Sequence, residues 1–241
     1  MQLKTSFALA VVLVLSGTAS AQVTLESLVA RNVAAHGGAE AIAAVQTVQQ
    51  RGTIQAQGMD IPFKAIVKRP GMMRTEATVM GMSVVTAYDG EKAWMINPMT
   101  GSSAPAEVPA EQAASIREQT NFEPMLSGYA ARGITVVYAG EEVFGGAPAH
   151  KLVLTMRDTT TVELFLDPET GLERGVIIEV TNPMTGKIRA TTTFSDFRTV
   201  GGFVMPFKIE TSADGQVMTS ITFEDIKVNE PVDDAVFKIN G

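Results

Sequence analysis

Few side chains in this 241-residue sequence can do chemistry, since it contains two histidines and no cysteine. His36 follows a helix-like segment and His150 begins a predicted strand, so neither has a second histidine at metal-ligand spacing. The H-E-x-x-H, G-x-S-x-G, P-loop and G-x-G-x-x-G motifs are absent from the sequence. Without cysteine, thiol nucleophiles and cysteine-based zinc sites are excluded. We therefore predict no catalytic residue, no metal site and no cofactor, while a hydrolase with a dispersed site at His150 or a buried carboxylate stays an open alternative.

Carboxylates are abundant, but their spacing is typical of solvated faces. The runs Glu141-Glu142 and Asp233-Asp234 have no partner base or metal ligand beside them in the sequence. The formal net charge is −7, and removal of the first 21 residues makes it −8, because Lys4 is their only charged side chain. An acidic chain is not attracted to polyanions, so we expect no nucleic-acid partner and no attraction to an anionic membrane surface.

Residues 1–21 have the pattern of a secretory signal peptide. Lys4 supplies the positive start, Phe7 to Leu15 form the apolar region, and Ala19-Ser20-Ala21 is an A-x-A cleavage site. The apolar region is shorter than the ~20 residues that span a bilayer. We expect the mature chain to begin at Gln22, to be exported, and to carry no lipid anchor, because no cysteine is present to be acylated.

The hydrophobic pattern after the leader predicts one N-terminal helix followed mainly by strands. Thr24 can cap the helix, and Gly37-Gly38 ends it. The Ala-rich segment from Ala39 to Val45 is expected to add another turn or two of helix. From Gln46 onward the sequence alternates with period two, apart from a predicted loop over 98–108 and helical pieces over 109–120 and 122–131. Short links between about ten consecutive strands favour an antiparallel meander. A sheet of that width must curl, and so few helices cannot fill its concave face.

We therefore predict an α+β fold, mainly antiparallel β, in a single domain over residues 22–241. The unfilled concave face is expected to hold a second sheet or a cavity. The 13 methionines of the sequence favour a cavity, because methionine is flexible and lines surfaces that accept variable apolar shapes.

One block of about 40 residues resembles a known family. Val67-Lys68-Arg69-Pro70 is followed by Met73-Arg74, and the segment from Asp89 to Pro98 (DGEKAWMINP) comes about twenty residues later. This K-R-P turn and the following D-G-x-x-x-W-x-x-N-P hairpin resemble the LolA/LolB-like periplasmic lipoprotein carriers, the outer-membrane lipoprotein-sorting proteins. The N-terminal helix and the helical insert after the hairpin are similar to the plan of that family.

The resemblance implies a strongly curved, unclosed β-barrel, or half-barrel, whose open concave side is covered by helices. It further implies an apolar cavity that holds the acyl chains of lipoproteins or lipids, with no catalysis. The partners would be an inner-membrane donor transporter and an outer-membrane acceptor, and the chain would be a monomer in the periplasm. In the family, the arginine of the K-R-P turn contacts the lid and governs its opening, and here that residue is Arg69.

From the strands and the insert we predict the residues of the site. The inward strand faces and the lid are expected to contribute Met73, Val79, Val84, Trp94, Ile96, Phe122, Met125 and Leu126, of which the last three belong to the lid. Arg69 is the predicted latch. An alternative to the carrier is a periplasmic sensor or regulatory module on the same scaffold, which would hold a stable protein partner and little lipid.

Overall fold

The computed structural model describes residues 23–182 and 186–239, so the predicted signal peptide lies outside the described residues. Thr24 begins the first helix as predicted, because its side-chain oxygen accepts a hydrogen bond from the backbone N–H of Ser27 at 3.2 Å. The helices of the described residues are α1 Leu25–Ala35, α2 Ala39–Ala44 and α3 Ala110–Glu118.

The strands of the described residues join in one antiparallel sheet of thirteen strands. Their bounds are β1 Thr47–Ala56, β2 Met59–Lys68, β3 Met72–Val79, β4 Met82–Tyr88, β5 Ala93–Asn97, β6 Ser102–Glu107, β7 Thr135–Phe144, β8 Ala147–Thr155, β9 Thr161–Leu166, β10 Glu173–Asn182, β11 Gly186–Val200, β12 Phe203–Ala213 and β13 Gln216–Val228. The order is β6-β5-β4-β3-β2-β1-β13-β12-β11-β10-β9-β8-β7, so β6 and β7 are edges and the sheet is not closed. The predicted fold class, an unclosed antiparallel half-barrel with few helices, is confirmed.

The two faces of the sheet bury different clusters. On one face, which we call the helix-covered face, Leu28 of α1, Ile42 of α2 and Ile116 of α3 each pack into an apolar cluster with strand residues. The other face, the outer face, carries a smaller cluster around Trp94. The C-terminal turn Asp234–Phe237 lies against that cluster, because the Trp94 indole N–H donates to the Phe237 carbonyl oxygen at 2.7 Å.

The two ends of the sheet also differ. Neighbouring hairpin turns at 57–58, 80–81, 98–101 and 214–215 lie side by side at one end, which we call the hairpin end. The turns at 69–71, 89–92 and 201–202 lie at the opposite end, where α2 packs, and this is the helix end. The segment after α3 begins at the helix end and runs toward the hairpin end, where Gly133 packs against Arg157 of the β8–β9 turn.

Two predicted elements differ from the structure for local reasons. The predicted helix over 122–131 is a series of turns, because Pro124 lacks an N–H donor and Gly128 adopts a positive φ of 58°. Within the predicted loop 98–108, Ser102–Glu107 pairs with β5 as an edge strand, a position where Pro105 is tolerated. The prediction of a single domain over 22–241 stays a prediction.

Candidate functional site

A row of isoleucines crosses four neighbouring strands on the helix-covered face. Ile61 of β2 lies opposite Ile54 of β1, and Ile54 lies opposite Ile221 of β13. Ile221 in turn lies opposite Ile209 of β12, so all four side chains share one face at the spacing of cross-strand neighbours, ~5 Å. Each is only partly buried. Ile54, Ile209 and Ile221 also pack against the buried cluster that contains Phe63 and Phe223. Contiguous apolar side chains that stay partly exposed are typical of ligand grooves and interaction sites.

Two valines extend this row across the next strands. Val84 of β4 lies opposite Ala77 of β3, and Ala77 lies opposite Phe63 of β2. Val79 is two residues further along β3, so it shares the same face. Val79 and Val84 are partly buried. We call this surface the apolar strip and define it by six residues, which are Ile54, Ile61, Val79, Val84, Ile209 and Ile221.

A buried aromatic pair lies beside the apolar strip. The rings of Phe63 and Phe223 meet edge to face with centroids 5.8 Å apart, and both side chains are buried. Gly52 lies between them, where a Cβ would meet the Thr222 carbonyl oxygen at 2.2 Å. Only glycine allows β1 and β13 to approach this closely, so the sequence fixes the register that aligns the isoleucines.

A cover packs on the same face beside the apolar strip. It consists of α3 and the turn segment 119–133. Leu126 of this segment is fully buried in the cluster that contains Leu28, Leu152 and Leu164. Phe122 and Met125 are partly buried, and Phe122 contacts two of the clusters on this face. The cover therefore closes the face over strands β7–β10 and over the helix end of β2–β5, and it leaves the apolar strip partly open.

Arg69 joins three elements at the edge of the cover. Its Nε donates to the Val45 carbonyl oxygen at 2.7 Å and its Nη2 to the Ile42 carbonyl oxygen at 3.1 Å, at the C-terminus of α2. Its Nη1 forms an ion pair with Glu123 of the cover, and its guanidinium lies 5.0 Å from the centroid of the Phe122 ring. Both partners of the ion pair are mostly shielded from solvent. This single side chain thus ties the cover to α2 and to the β2–β3 turn.

Six of the predicted cavity and lid residues lie on the helix-covered face, in separate clusters. Met73 is buried on the helix-covered face beside Tyr88 and Ala93, and Val79 and Val84 belong to the apolar strip. Phe122, Met125 and Leu126 belong to the cover, as placed above. Sequence reasoning missed Glu123 and the isoleucine row. The alternation of β1 and β2 signalled the row, whereas nothing local signalled the partner of Arg69.

Trp94 and Ile96 lie elsewhere, which corrects the prediction that they share a surface with Met73. Trp94 lies opposite Ala87, and Ile96 lies opposite Val85, in the cluster on the outer face. Successive strand residues point to opposite faces, so Ala93 takes the helix-covered side and Trp94 does not. Trp94 is 3% exposed and is hydrogen-bonded to the C-terminal turn, which gives it a packing role.

A buried polar network holds the end of α1. The Nε2 atom of His36 lies 2.7 Å from the Glu173 carboxylate, and its Nδ1 atom lies 2.8 Å from the Val204 carbonyl oxygen. That carbonyl only accepts, so Nδ1 carries a hydrogen and the histidine and the carboxylate share one further proton. Burial lowers the pKa of His36, but its hydrogen bond and charge interaction with Glu173 outweigh this, and the pKa is raised. The network fixes α1 against β10 and β12.

His150 has separate partners. Its Nδ1 atom lies 3.1 Å from the Tyr138 hydroxyl, and the side chain is buried. Among the described residues, no group of three or more histidine, aspartate or glutamate side chains is arranged to hold a metal ion. Within the same residues, the helices are too short or too polar to cross a membrane.

Two small pockets flank the β2–β3 turn at the helix end. One, of about 240 Å³, lies between Arg69 and the cover residues Glu123 and Arg132. The other, of about 220 Å³, lies between Gly71 and Arg117. Both are smaller than the ~300–1,000 Å³ of typical ligand pockets, and neither includes a residue of the apolar strip. They mark the seam between the cover and the sheet.

Comparison with known proteins supports the fold assignment. No family model and no curated protein matches the sequence. A DUF1329 family protein from Desulfovibrio piger is similar in structure, with a TM-score of 0.58, 14% identity, and coverage of 88% of this chain and 96% of that one. A putative outer membrane lipoprotein-sorting protein domain from Vibrio parahaemolyticus has a TM-score of 0.58, 10% identity, and coverage of 88% and 95%.

A LolA superfamily protein from Nitrosomonas europaea is also similar, with a TM-score of 0.56, 13% identity, and coverage of 90% of this chain and 98% of that one. Identities this low establish a shared fold, and function must be argued from the site. The resemblance to LolA/LolB-like proteins found in the sequence is therefore confirmed at the level of the fold.

Proposed function

We propose that this chain is a periplasmic carrier, without catalytic activity, that binds the acyl chains of lipids or lipoproteins along the apolar strip. It would take its cargo from an inner-membrane donor transporter and carry it toward an outer-membrane acceptor. The observation that carries the proposal is the isoleucine row Ile61, Ile54, Ile221 and Ile209, which stays partly exposed on a face that helices otherwise cover. The fold shared with a putative lipoprotein-sorting domain supports the same reading.

The energetics of an acyl chain in water favour a partial shelter. Each methylene group costs about 0.8 kcal/mol in water, so the ~40 groups of a three-chain anchor would cost roughly 30 kcal/mol. That exceeds the practical ceiling of about 20 kcal/mol for non-covalent binding. A carrier must therefore leave part of the cargo unsheltered or spend binding energy on its own rearrangement, and an open strip beside a closed cover permits both.

Movement of the cover away from the sheet can supply this rearrangement. Leu126 is buried over strands β7–β10 of the face, so a long acyl chain can extend from the apolar strip onto those strands only if segment 119–133 moves. The contact of Arg69 with Glu123 links that segment to the β2–β3 turn, which supports the predicted latch role of Arg69. Displacing the cover exposes its own apolar side chains, which offsets part of the binding energy and keeps release possible.

Native mass spectrometry of the protein purified from a periplasmic extract tests the cargo directly. We expect acyl-bearing molecules to copurify and to be displaced by added palmitate. A protein that carries no lipid and holds a stable protein partner would contradict the carrier role and indicate a sensor module.

A titration with a fluorescent fatty acid tests the site. Ile61→Asn alters the apolar strip, and Ile66→Asn is its matched control, because Ile66 is also partly buried but lies on the outer face of the same strand. We expect Ile61→Asn to weaken binding by about tenfold, since burying a large apolar side chain contributes ~1.5–3 kcal/mol. Equal affinities for the two variants would remove the strip as the binding surface.

A further inference from the structure

Arg132 is a partly buried cation of the cover that has no carboxylate partner. It lines the pocket of about 240 Å³ beside Arg69, which we call the seam pocket. Its Nη1 atom donates to the carbonyl oxygens of Pro124 and Ser127, at 3.1 and 3.3 Å. The ion pairs within the described residues do not include Arg132. Because a guanidinium carries five N–H donors, the Nε and Nη2 donors of Arg132 are available to a ligand.

The surroundings of Arg132 favour an anionic ligand. Burial lowers the pKa of Arg132, although the charges of Glu123 and Glu118 act in the opposite direction. Glu123 is already paired with Arg69, and Glu118 lies on α3 outside the seam pocket. A shielded charge is costly unless a counter-charge reaches it at hydrogen-bond distance. An anion bound in the seam pocket would supply that contact.

The other walls of the seam pocket suit an oxyanion that is attached to an apolar chain. Arg69 uses three of its five N–H donors in the contacts described above, so two remain. The side-chain oxygen of Asn121 accepts from the Glu123 backbone N–H at 3.0 Å, which leaves its amide group as a further donor. Phe122 supplies an apolar wall that continues into the clusters of the helix-covered face. Arginine is the side chain best shaped to bind carboxylate and phosphate groups.

The charges that line the seam differ in sign from those of the whole chain. The seam pocket and the neighbouring pocket are lined by three arginines and two carboxylates, whereas the formal net charge of the sequence is −7. The arginines are Arg69, Arg117 and Arg132, and the carboxylates are Glu123 and Asp89. Asp89 accepts from two backbone N–H groups of its own turn. The lining charges of the two pockets therefore favour an anion, although the chain as a whole is acidic.

We propose that the seam pocket binds the carboxylate or phosphate group of the cargo between Arg69 and Arg132, and that this anion replaces Glu123 as the partner of Arg69. The inference rests on the proposed carrier function and adds to it a headgroup site and a trigger for the cover. An anion beside Arg69 repels Glu123 and offers the guanidinium an equivalent acceptor, so anion binding and the contact with the cover compete. The seam pocket has the volume of a headgroup rather than of a whole lipid.

Competition against the fluorescent fatty acid measures the contribution of the headgroup in the full mature chain. We expect palmitate to displace the probe at about tenfold lower concentration than methyl palmitate, because only palmitate carries a charge. Arg132→Gln should remove this preference. Arg51→Gln is the matched control and should keep it, since Arg51 lies outside the pocket and its ion pair with Glu224 is exposed on both sides. Equal ratios for the two variants would overturn the proposal.

Asn121→Asp is a second variant that does not disturb the backbone contacts of Arg132. Asn121 is exposed, and aspartate keeps the oxygen that accepts from the Glu123 N–H while it adds a negative charge to the seam pocket. We expect this variant to lose the preference for palmitate with an unchanged thermal midpoint. A retained preference would contradict an anion site at this place.

Opening of the cover identifies the source of the anion. In a chain with the single substitution Leu126→Cys, the rate of thiol labelling reports opening, because Leu126 is fully buried and the sequence has no other cysteine. We expect palmitate to raise this rate about tenfold, and Glu123→Gln to abolish the response, since the ion pair is then already weakened. A response to inorganic phosphate beyond that to sodium chloride at equal ionic strength would show that a free anion suffices, and a response to palmitate alone would assign the pocket to the headgroup of the cargo. No response to either ligand would overturn the proposal.

Failure of this proposal and failure of the carrier function give different results. Arg69 and Ile61 are separated by the length of β2, so the seam pocket and the apolar strip can be changed one at a time. If palmitate and methyl palmitate bind equally and Ile61→Asn weakens both, the carrier function stands and the anion site is wrong. If phosphate opens the cover but no acyl ligand binds, the carrier function is contradicted and the anion site stands.

Discussion

Glu123→Gln isolates the contact between the cover and Arg69. The glutamine is close in size and its amide oxygen can still accept from the guanidinium, but it removes the charge–charge attraction from a pair in which both side chains are mostly shielded. An exposed ion pair contributes ~0.2–1 kcal/mol and the loss of one partner of a buried pair costs ~3–5 kcal/mol, and this partly shielded pair lies between the two. A loss of about 1.4 kcal/mol predicts a roughly tenfold increase in the fraction of molecules with an open cover. Arg69→Leu is less informative, because it also leaves the carbonyl groups of Ile42 and Val45 without their donor.

Thiol labelling measures that opening. The sequence has no cysteine, so a single Leu126→Cys substitution places one reactive group under the cover, where the native side chain is fully buried. In this background, the labelling rate reports the open fraction, and Glu123→Gln should raise it about tenfold. Glu107→Gln is the control, because its ion pair with Lys92 is exposed on both sides and should change the rate less than twofold. Equal rates for Glu123→Gln and the control would refute the latch.

Three further predictions concern stability. The pKa of His36 is raised, so the stabilisation from its contact with Glu173 is fully present below the unfolded pKa of 6.5 and is lost as the pH rises through the folded pKa. The urea midpoint of unfolding should therefore fall with increasing pH in that range. His36→Gln should flatten this pH profile. Gly52→Ala places a methyl group 2.2 Å from a carbonyl oxygen of β13 and should destabilise the fold by ~1–3 kcal/mol, measured by the same urea titration. Trp94→Phe removes the indole N–H that satisfies the Phe237 carbonyl and should lower the thermal midpoint, reflecting a loss of ~1–3 kcal/mol, whereas an unchanged midpoint would contradict this packing role.

Local patterns made much of the sheet predictable. The alternation of β1 and β2 and the cap at Thr24 are read directly from neighbouring residues, and the structure contains both. The helix expected over 122–131 failed because Pro124 and Gly128 interrupt it, and their effect outweighs the apolar spacing. In these cases the competing signals lie within a few residues of each other.

Contacts between residues far apart in the sequence could not be predicted. His36 meets Glu173 across 137 positions, and Arg69 meets Glu123 across 54, and neither pairing leaves a local signal. The face taken by Trp94 depends on the pairing of β5 with β4, and a one-residue change of register would reverse it. The cover and the strands β3 and β4 of the candidate site could therefore be located from the sequence, whereas the isoleucine row on β1, β2, β12 and β13 could not, because it depends on strand pairing across the chain.

Photo-cross-linking with a diazirine-bearing fatty acid, followed by peptide mapping, tests the central claim most directly. If the apolar strip holds the acyl chain, the adducts should fall on the peptides that carry Ile54, Ile61, Ile209 and Ile221, and excess palmitate should abolish them. Adducts concentrated on the outer face around Trp94, or labelling that palmitate does not reduce, would contradict the account.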